Sequence, residues 1–175
     1  FWKKLYPDAN LTLLDRDIEI KGTNYSVIKC DQSKSKDLIS VCSLLGKNSI
    51  GLIVDDGSHI PEHQIKTFNF FFLEILKEGG TYIIEDIETS YWRFYGIYGY
   101  KTRYGYGSSK SIINCFSLLV HWINREFLGP NEKNNLQNSL KKNGFNLQAI
   151  DLIESISFGQ NCFCIRKTHV VNIFF

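Results

Sequence analysis

Two short apolar runs, each stopping in a pair of acids, organise the hydrophobic pattern of the chain. Residues 50–54 run into Asp55 and Asp56, and residues 81–84 run into Glu85 and Asp86. A four- or five-residue run rich in Ile, Val and Leu, bounded by turn residues, reads as a strand buried on both faces of a parallel sheet. The segment between them reads as a helix. Ser58 or His59 supplies its start signal, and Pro61 suits the first turn, where its missing N–H costs nothing. Ile65, Phe68, Phe72, Leu73, Ile75 and Leu76 form a wide apolar face, and Gly79 with Gly80 closes the segment. The unit is βαβ, with its two strands side by side and pointing the same way. Their carboxyl ends gather Asp55, Asp56, Glu85 and Asp86 at one sheet edge, with His59 just beyond. In open α/β sheets that edge is where ligands bind.

The same reading covers the rest of the chain. Residues 1–6 end a helix, 11–14 form a strand, 18–24 a turn or short helical piece, and Tyr25–Lys29 the next strand. Ser35–Leu45 has helical spacing and stops at Gly46. Residues 91–106 are crowded with Tyr, Trp, Gly and Arg and follow neither period, so they read as a long functional loop. Residues 111–128 predict an amphipathic helix with Ile112, Cys115, Phe116, Leu119, Trp122, Ile123 and Phe127 inside, stopped by Gly129 and Pro130. A polar helix over 133–142 with Asn143 and Gly144 as its cap comes next. Strands at 147–157 and 162–166 then make a hairpin around Gly159 and Gln160. The expected fold is α/β: a doubly wound, Rossmann-like, mostly parallel sheet with a C-terminal antiparallel hairpin. Residues 168–175 form a tail of unknown role.

Composition narrows the function classes. The 175 residues suit one domain, and a net charge of +2 without a basic stripe argues against a nucleic-acid binder. The five cysteines are odd in number and scattered, which fits a reducing compartment better than a disulfide scaffold. No stretch is long and apolar enough to span a bilayer and no signal peptide is evident, so the expectation is a cytoplasmic protein without a membrane partner. The chain has no methionine and begins at Phe1, which predicts a processed or partial chain that lacks the beginning of its fold.

Asp56, Glu85 and Asp86 are hard oxygen ligands suited to Mg²⁺, Ca²⁺ or Mn²⁺. Convergent acids without a basic partner repel, and a bound cation or a shared proton relieves that. Strand-end acids that merely cap helices or face solvent are the plainer alternative. His59, three residues after Asp56, is placed to take a proton from a hydroxyl, or simply to cap a helix. His63 invites a zinc reading with His59, but the His-Glu-x-x-His pattern is missing. Asp15, at a strand end, suits two ribose hydroxyls, and Asp31 with Gln32 suits a base edge. Tyr91, Trp92, Tyr95 and Tyr98 suit a wall for a flat or glycosidic acceptor; Lys101, Arg103 and Lys110 suit a phosphate. The same loop also suits a homo-oligomer contact.

Residues 54–63, with their Asp-Gly-Ser-His motif, together with Gly79, Gly80 and the Glu-Asp-x-x-Thr-Ser-Tyr-Trp motif ending at Trp92, resemble a known family. This is the class I S-adenosylmethionine-dependent O-methyltransferases that act on macrolide and polyketide sugars, the mycinamicin type. The resemblance extends loosely over residues 1–167, which it marks as a partial methyltransferase domain. It implies that Asp56, Glu85 and Asp86 bind Mg²⁺ and that His59 is the general base. It implies further that Asp15, Asp31, Gln32 and Asp55 border S-adenosyl-L-methionine, and that Tyr91 and Trp92 border a small-molecule acceptor carrying a sugar hydroxyl. The family's first strand and glycine-rich motif are absent here. That strand would sit between those at 11–14 and 50–54, so a gap in the sheet is expected. The rival readings are a non-catalytic nucleotide-binding fold serving as an interaction module, a cephalosporin-hydroxylase-like enzyme, and a metal-dependent hydrolase.

Overall fold

A computed structural model describes residues 2–21, 25–92 and 104–169. Its strands divide into two hydrogen-bonded sheets. The first contains β1 (Leu11–Asp15), β2 (Ile20–Lys21) and β3 (Tyr25–Lys29) in the order β1-β3-β2. β1 and β3 run parallel, from Leu11 opposite Tyr25 to Asp15 opposite Lys29. Part of the expected turn at 18–24 is strand instead, because Ile20 and Lys21 find the antiparallel edge of β3. The second sheet contains β4 (Ile50–Asp55), β5 (Leu76–Glu85), β6 (Ile153–Gly159) and β7 (Cys162–Lys167) in the order β4-β5-β7-β6. β4 and β5 are parallel and β6–β7 is an antiparallel hairpin, as the pattern predicted. The hairpin also joins β5 antiparallel, so among the described strands three of five pairings are antiparallel and the sheets are mixed rather than mostly parallel. β1 and β4 each end the strand order of their sheets, and no strand among the described residues pairs with both. The two sheets are therefore not joined by hydrogen bonds among the described residues, in keeping with the expected gap.

The helices are α1 (Trp2–Leu5), α2 (Ser35–Leu45), α3 (Pro61–Glu74), α4 (Ile112–Ile123), α5 (Pro130–Lys142) and α6 (Leu147–Ile150). Pro61 opens α3 as expected, but the preceding cap residue is Ile60 and makes no side-chain cap bond. Gly79 and Gly80 do not close α3. They lie inside β5, where the register slips from Ile50–Leu76 to Leu52–Thr81. Gly79 has φ +67°, and an added Cβ there would sit 2.4 Å from the His169 ring. These glycines serve a bulge, a use that composition alone does not separate from a helix stop. α4 ends at Ile123, and a 3-10 turn, Arg125–Phe127, leaves Phe127 80% exposed rather than in the core. Gly129 and Pro130 start α5 rather than merely ending α4; the Gly129 N–H donates to the Glu132 carboxylate at 2.9 Å. Residues 147–150 are a helical turn, not strand, because the Asn146 side chain caps it by accepting from the Gln148 N–H.

The core joins α3 and α4 to the second sheet. Phe68 is fully buried and packs against Phe72, Tyr82, Phe116 and Phe145, with ring centroids 4.6–6.4 Å apart. Each such ring contributes roughly 1.5–3 kcal/mol through burial. The buried Lys167 ammonium donates to the carbonyls of Leu76 (2.7 Å) and Leu73 (3.2 Å), tying β7 to the end of α3. α3 is thereby anchored at its carboxyl end to β7 and to the start of β5. No helix among the described residues is long and apolar enough to cross a membrane.

Candidate active site

β4 and β5 keep register from Leu52–Thr81 to Asp55–Ile84, so they finish at the same level. Both chains then turn sharply. His59 has φ 51° and Asp86 has φ 54°, the left-handed region that non-glycine residues seldom occupy. Such conformations cost about 1–3 kcal/mol each and persist where surrounding structure enforces them, often at functional sites. The turns bring Asp56, His59 and Asp86 together, with one ligand atom from each lying within 4.8 Å of the others. His59 Nε2 stands 3.8 Å from Asp56 Oδ1 and 3.7 Å from Asp86 Oδ2. The imidazole is nearly buried, with 10% of its side chain exposed, whereas Asp56 and Asp86 are 62% and 41% open. The result is a shallow site floored by imidazole and rimmed by carboxylates.

Among the described residues, no lysine or arginine pairs with Asp56 or Asp86. At 4.8 Å two carboxylate charges repel by about 1 kcal/mol in water-like surroundings and about 3.5 kcal/mol at an effective dielectric near 20. Glu85 stands outside the trio. Burial, with the charges of Asp56 and Asp86, pushes its carboxyl above the ordinary carboxylate range.

A layer of polar contacts holds the site in place. Asp55 is buried; Gln32 Nε2 donates to its Oδ1 at 2.7 Å and the Tyr82 hydroxyl donates to its Oδ2 at 3.0 Å. Burial pushes the Asp55 carboxyl up to about 6, against the pull of these bonds. Gln32 Oε1 accepts from the Ser58 N–H at 2.9 Å, so one side chain ties the end of β3 to the 55–58 turn. Asp55 and Gln32, expected beside a donor nucleoside, thus spend their polar atoms on each other, on Tyr82 and on Ser58. The buried Thr89 hydroxyl donates to the His59 carbonyl at 3.0 Å, and the Gln64 amide reaches the Glu85 carbonyl at 3.5 Å. Asn161, in the β6–β7 turn, donates from Nδ2 to Asp86 Oδ1 at 3.0 Å.

The other expected residues are distributed as follows. Asp15 and Asp31 sit at the carboxyl ends of the paired strands β1 and β3. Asp15 Oδ1 accepts from the N–H groups of Asp17 and Ile18. Asp31 accepts from Ser33 and pairs with Lys34 at 2.9 Å, which holds it below the usual carboxylate range. The His63 ring faces the Ser58 hydroxyl at 2.9 Å rather than the trio, and burial lowers its pKa. Tyr91 is 55% exposed and stacks on Tyr106 with centroids 6.3 Å apart. The Trp92 N–H donates to the Thr89 carbonyl. Tyr104 donates to Glu62, and Lys110 reaches the Lys142 carbonyl at 3.5 Å. Tyr95, Tyr98, Lys101 and Arg103 lie outside the described residues.

No family model matches the chain. It is similar to the 8-demethyl-8-alpha-L-rhamnosyl tetracenomycin-C 2'-O-methyltransferase of Streptomyces olivaceus, 36% identical over 88 residues, covering 50% of this chain and 22% of that one. It is also similar to the mycinamicin VI 2''-O-methyltransferase of Micromonospora griseorubida, 31% identical over 98 residues, covering 54% of this chain and 24% of that one. The chain therefore spans less than a quarter of the length of these relatives. Among solved structures it resembles the MycE methyltransferase of the mycinamycin biosynthetic pathway in complex with Mg, SAH and mycinamycin VI. The TM-score is 0.71 at 22% identity, covering 96% of this chain and 39% of that one. That likeness establishes the fold, Rossmann-like α/β.

Proposed function

We propose that the chain is part of an S-adenosylmethionine-dependent O-methyltransferase that methylates a sugar hydroxyl on a glycosylated small molecule. The observation that carries this reading is the Asp56–His59–Asp86 trio at the coincident ends of β4 and β5. The relatives named above supply the donor and acceptor class. Two open carboxylates, lacking a lysine or arginine partner among the described residues, fit a hard divalent cation such as Mg²⁺. Glu85, at the end of β5, is the third carboxylate that the resemblance implies, although it stands outside the trio.

When bound, the cation would make a neighbouring hydroxyl more acidic, and the sulfonium donor supplies its methyl in activated form. The residues of the chain do the rest. Asp56 and Asp86 hold the acceptor edge of the site. His59 Nε2 faces the space between them and takes the hydroxyl proton as the oxygen–methyl bond forms and the methyl–sulfur bond breaks. Asp15 and Asp31, on neighbouring strand ends, face the donor's nucleoside. Gln32 and Asp55 act from behind, fixing the 55–58 turn rather than touching the donor. Tyr91 and Trp92 border the acceptor. A reducing, cytoplasmic setting belongs to this reading, supported by five cysteines that are all free.

The test is methyl transfer by the intact protein, read by mass spectrometry of the acceptor, with donor affinity measured beside it. His59→Ala should lose at least 100-fold in turnover with donor affinity unchanged. Retained turnover would remove His59 from the mechanism.

A further inference from the structure

We propose that Asn161 is a positioning residue that aims Asp86 at the cation; this rests on the metal reading given above. Asn161 comes from a part of the chain remote from both acid-ended strands. It sits in the two-residue turn between Gly159 and Cys162, and β7 is paired to β5 up to Glu85 opposite Cys162. That pairing delivers the turn to the point where β5 ends.

Three contacts form the clamp. Asn161 Nδ2 donates to Asp86 Oδ1 at 3.0 Å, and Asn161 Oδ1 accepts from the Glu88 N–H at 2.8 Å. The Asn161 carbonyl accepts from the Ile87 N–H at 3.5 Å. They hold the Asp86 side chain and the two residues that follow it, just past a residue in the left-handed region at φ 54°. The oxygens of Asp86 are thereby divided: Oδ1 belongs to Asn161, and Oδ2 faces His59 at 3.7 Å. A carboxylate fixed by one oxygen offers the other in one orientation, which is what an outer hydrogen bond does for a metal ligand. Asn161 is itself left-handed, at φ 59°, a conformation asparagine accepts at low cost. A β-branched residue would be strained at this φ.

The experiment is a Mn²⁺ titration of the full chain, followed by electron paramagnetic resonance, on four proteins: the parent, Asn161→Gly, Asp86→Ala and the double variant. Glycine keeps the left-handed turn and the backbone bond to Ile87, and removes the two side-chain contacts. Asn161→Gly should weaken Mn²⁺ binding about tenfold, the low end of what removing such an outer partner does. In the Asp86→Ala background the same change should have no further effect, because the clamp acts through Asp86. Equal affinity of Asn161→Gly and the parent, or the same tenfold loss in both backgrounds, overturns the positioning role while leaving the metal site standing. A parent that binds no Mn²⁺ overturns the metal reading and the clamp with it.

Discussion

Gly57→Ala probes the layer behind the candidate active site. A Cβ at Gly57 would lie 2.6 Å from Gln32 Oε1, 3.0 Å from Gln32 Cδ and 3.1 Å from Asp55 Oδ1. The Gln32 amide must therefore move, and it carries two bonds: 2.7 Å to Asp55 and 2.9 Å from the Ser58 N–H. A bond to a carboxylate contributes roughly 1.5–3 kcal/mol and a neutral one roughly 0.5–1.5 kcal/mol, so losing both costs about 2–4 kcal/mol. Because Asp55 is buried and loses a partner, the upper half of that range is expected. Backbone strain does not compete as an explanation, since Gly57 lies outside the left-handed region. Urea unfolding of Gly57→Ala, Gln32→Ala and the double variant measures the effect. The methyl group should cost about 3–4 kcal/mol in the parent, and about 1 kcal/mol or less once Gln32 is truncated and only the 3.1 Å approach to Asp55 Oδ1 remains. Equal costs in the two backgrounds, or no cost in the parent, would refute the reasoning.

Two further predictions follow from the core and the thiols. Phe68→Ala empties the centre of the aromatic cluster and should lower unfolding free energy by about 3–5 kcal/mol in urea; a loss below about 1 kcal/mol would mean that α3 does not pack as described. Burial pushes the thiols of Cys30, Cys42 and Cys115 up to about 11, so at pH 8 iodoacetamide should label Cys164 first and leave these three largely unmodified in peptide maps. Labelling of Cys30 as fast as Cys164 would contradict the burial of that strand end.

The acid-ended strands were legible in the sequence for a physical reason. A βαβ unit leaves its two strands little choice but to run parallel, so residues just past their ends must meet. Asp56, His59 and Asp86 follow from that rule. Glu85 shows its limit: the rule places the backbone, but the left-handed turn at Asp86 decides which acid enters the trio. The support layer was not legible. Asn161 reaches Asp86, Gln32 reaches Asp55 and Thr89 reaches His59 across long stretches of chain, and polar contacts of that kind leave no periodic trace. Gly79 and Gly80 were ambiguous for another reason: glycine marks a helix stop and a strand bulge alike. Phe127 failed because the 3.6-residue period continues on paper past the point where the helix stops.

The central claim is that the acids of β4 and β5 hold a cation that methyl transfer requires. The most direct measurement is transfer of labelled methyl from S-adenosylmethionine to a glycosylated macrolide by the intact protein, first stripped with EDTA and then resupplied with Mg²⁺. Transfer should be lost on stripping, restored by Mg²⁺, and not restored in Asp56→Asn or Asp86→Asn. Undiminished transfer in excess EDTA would contradict the account.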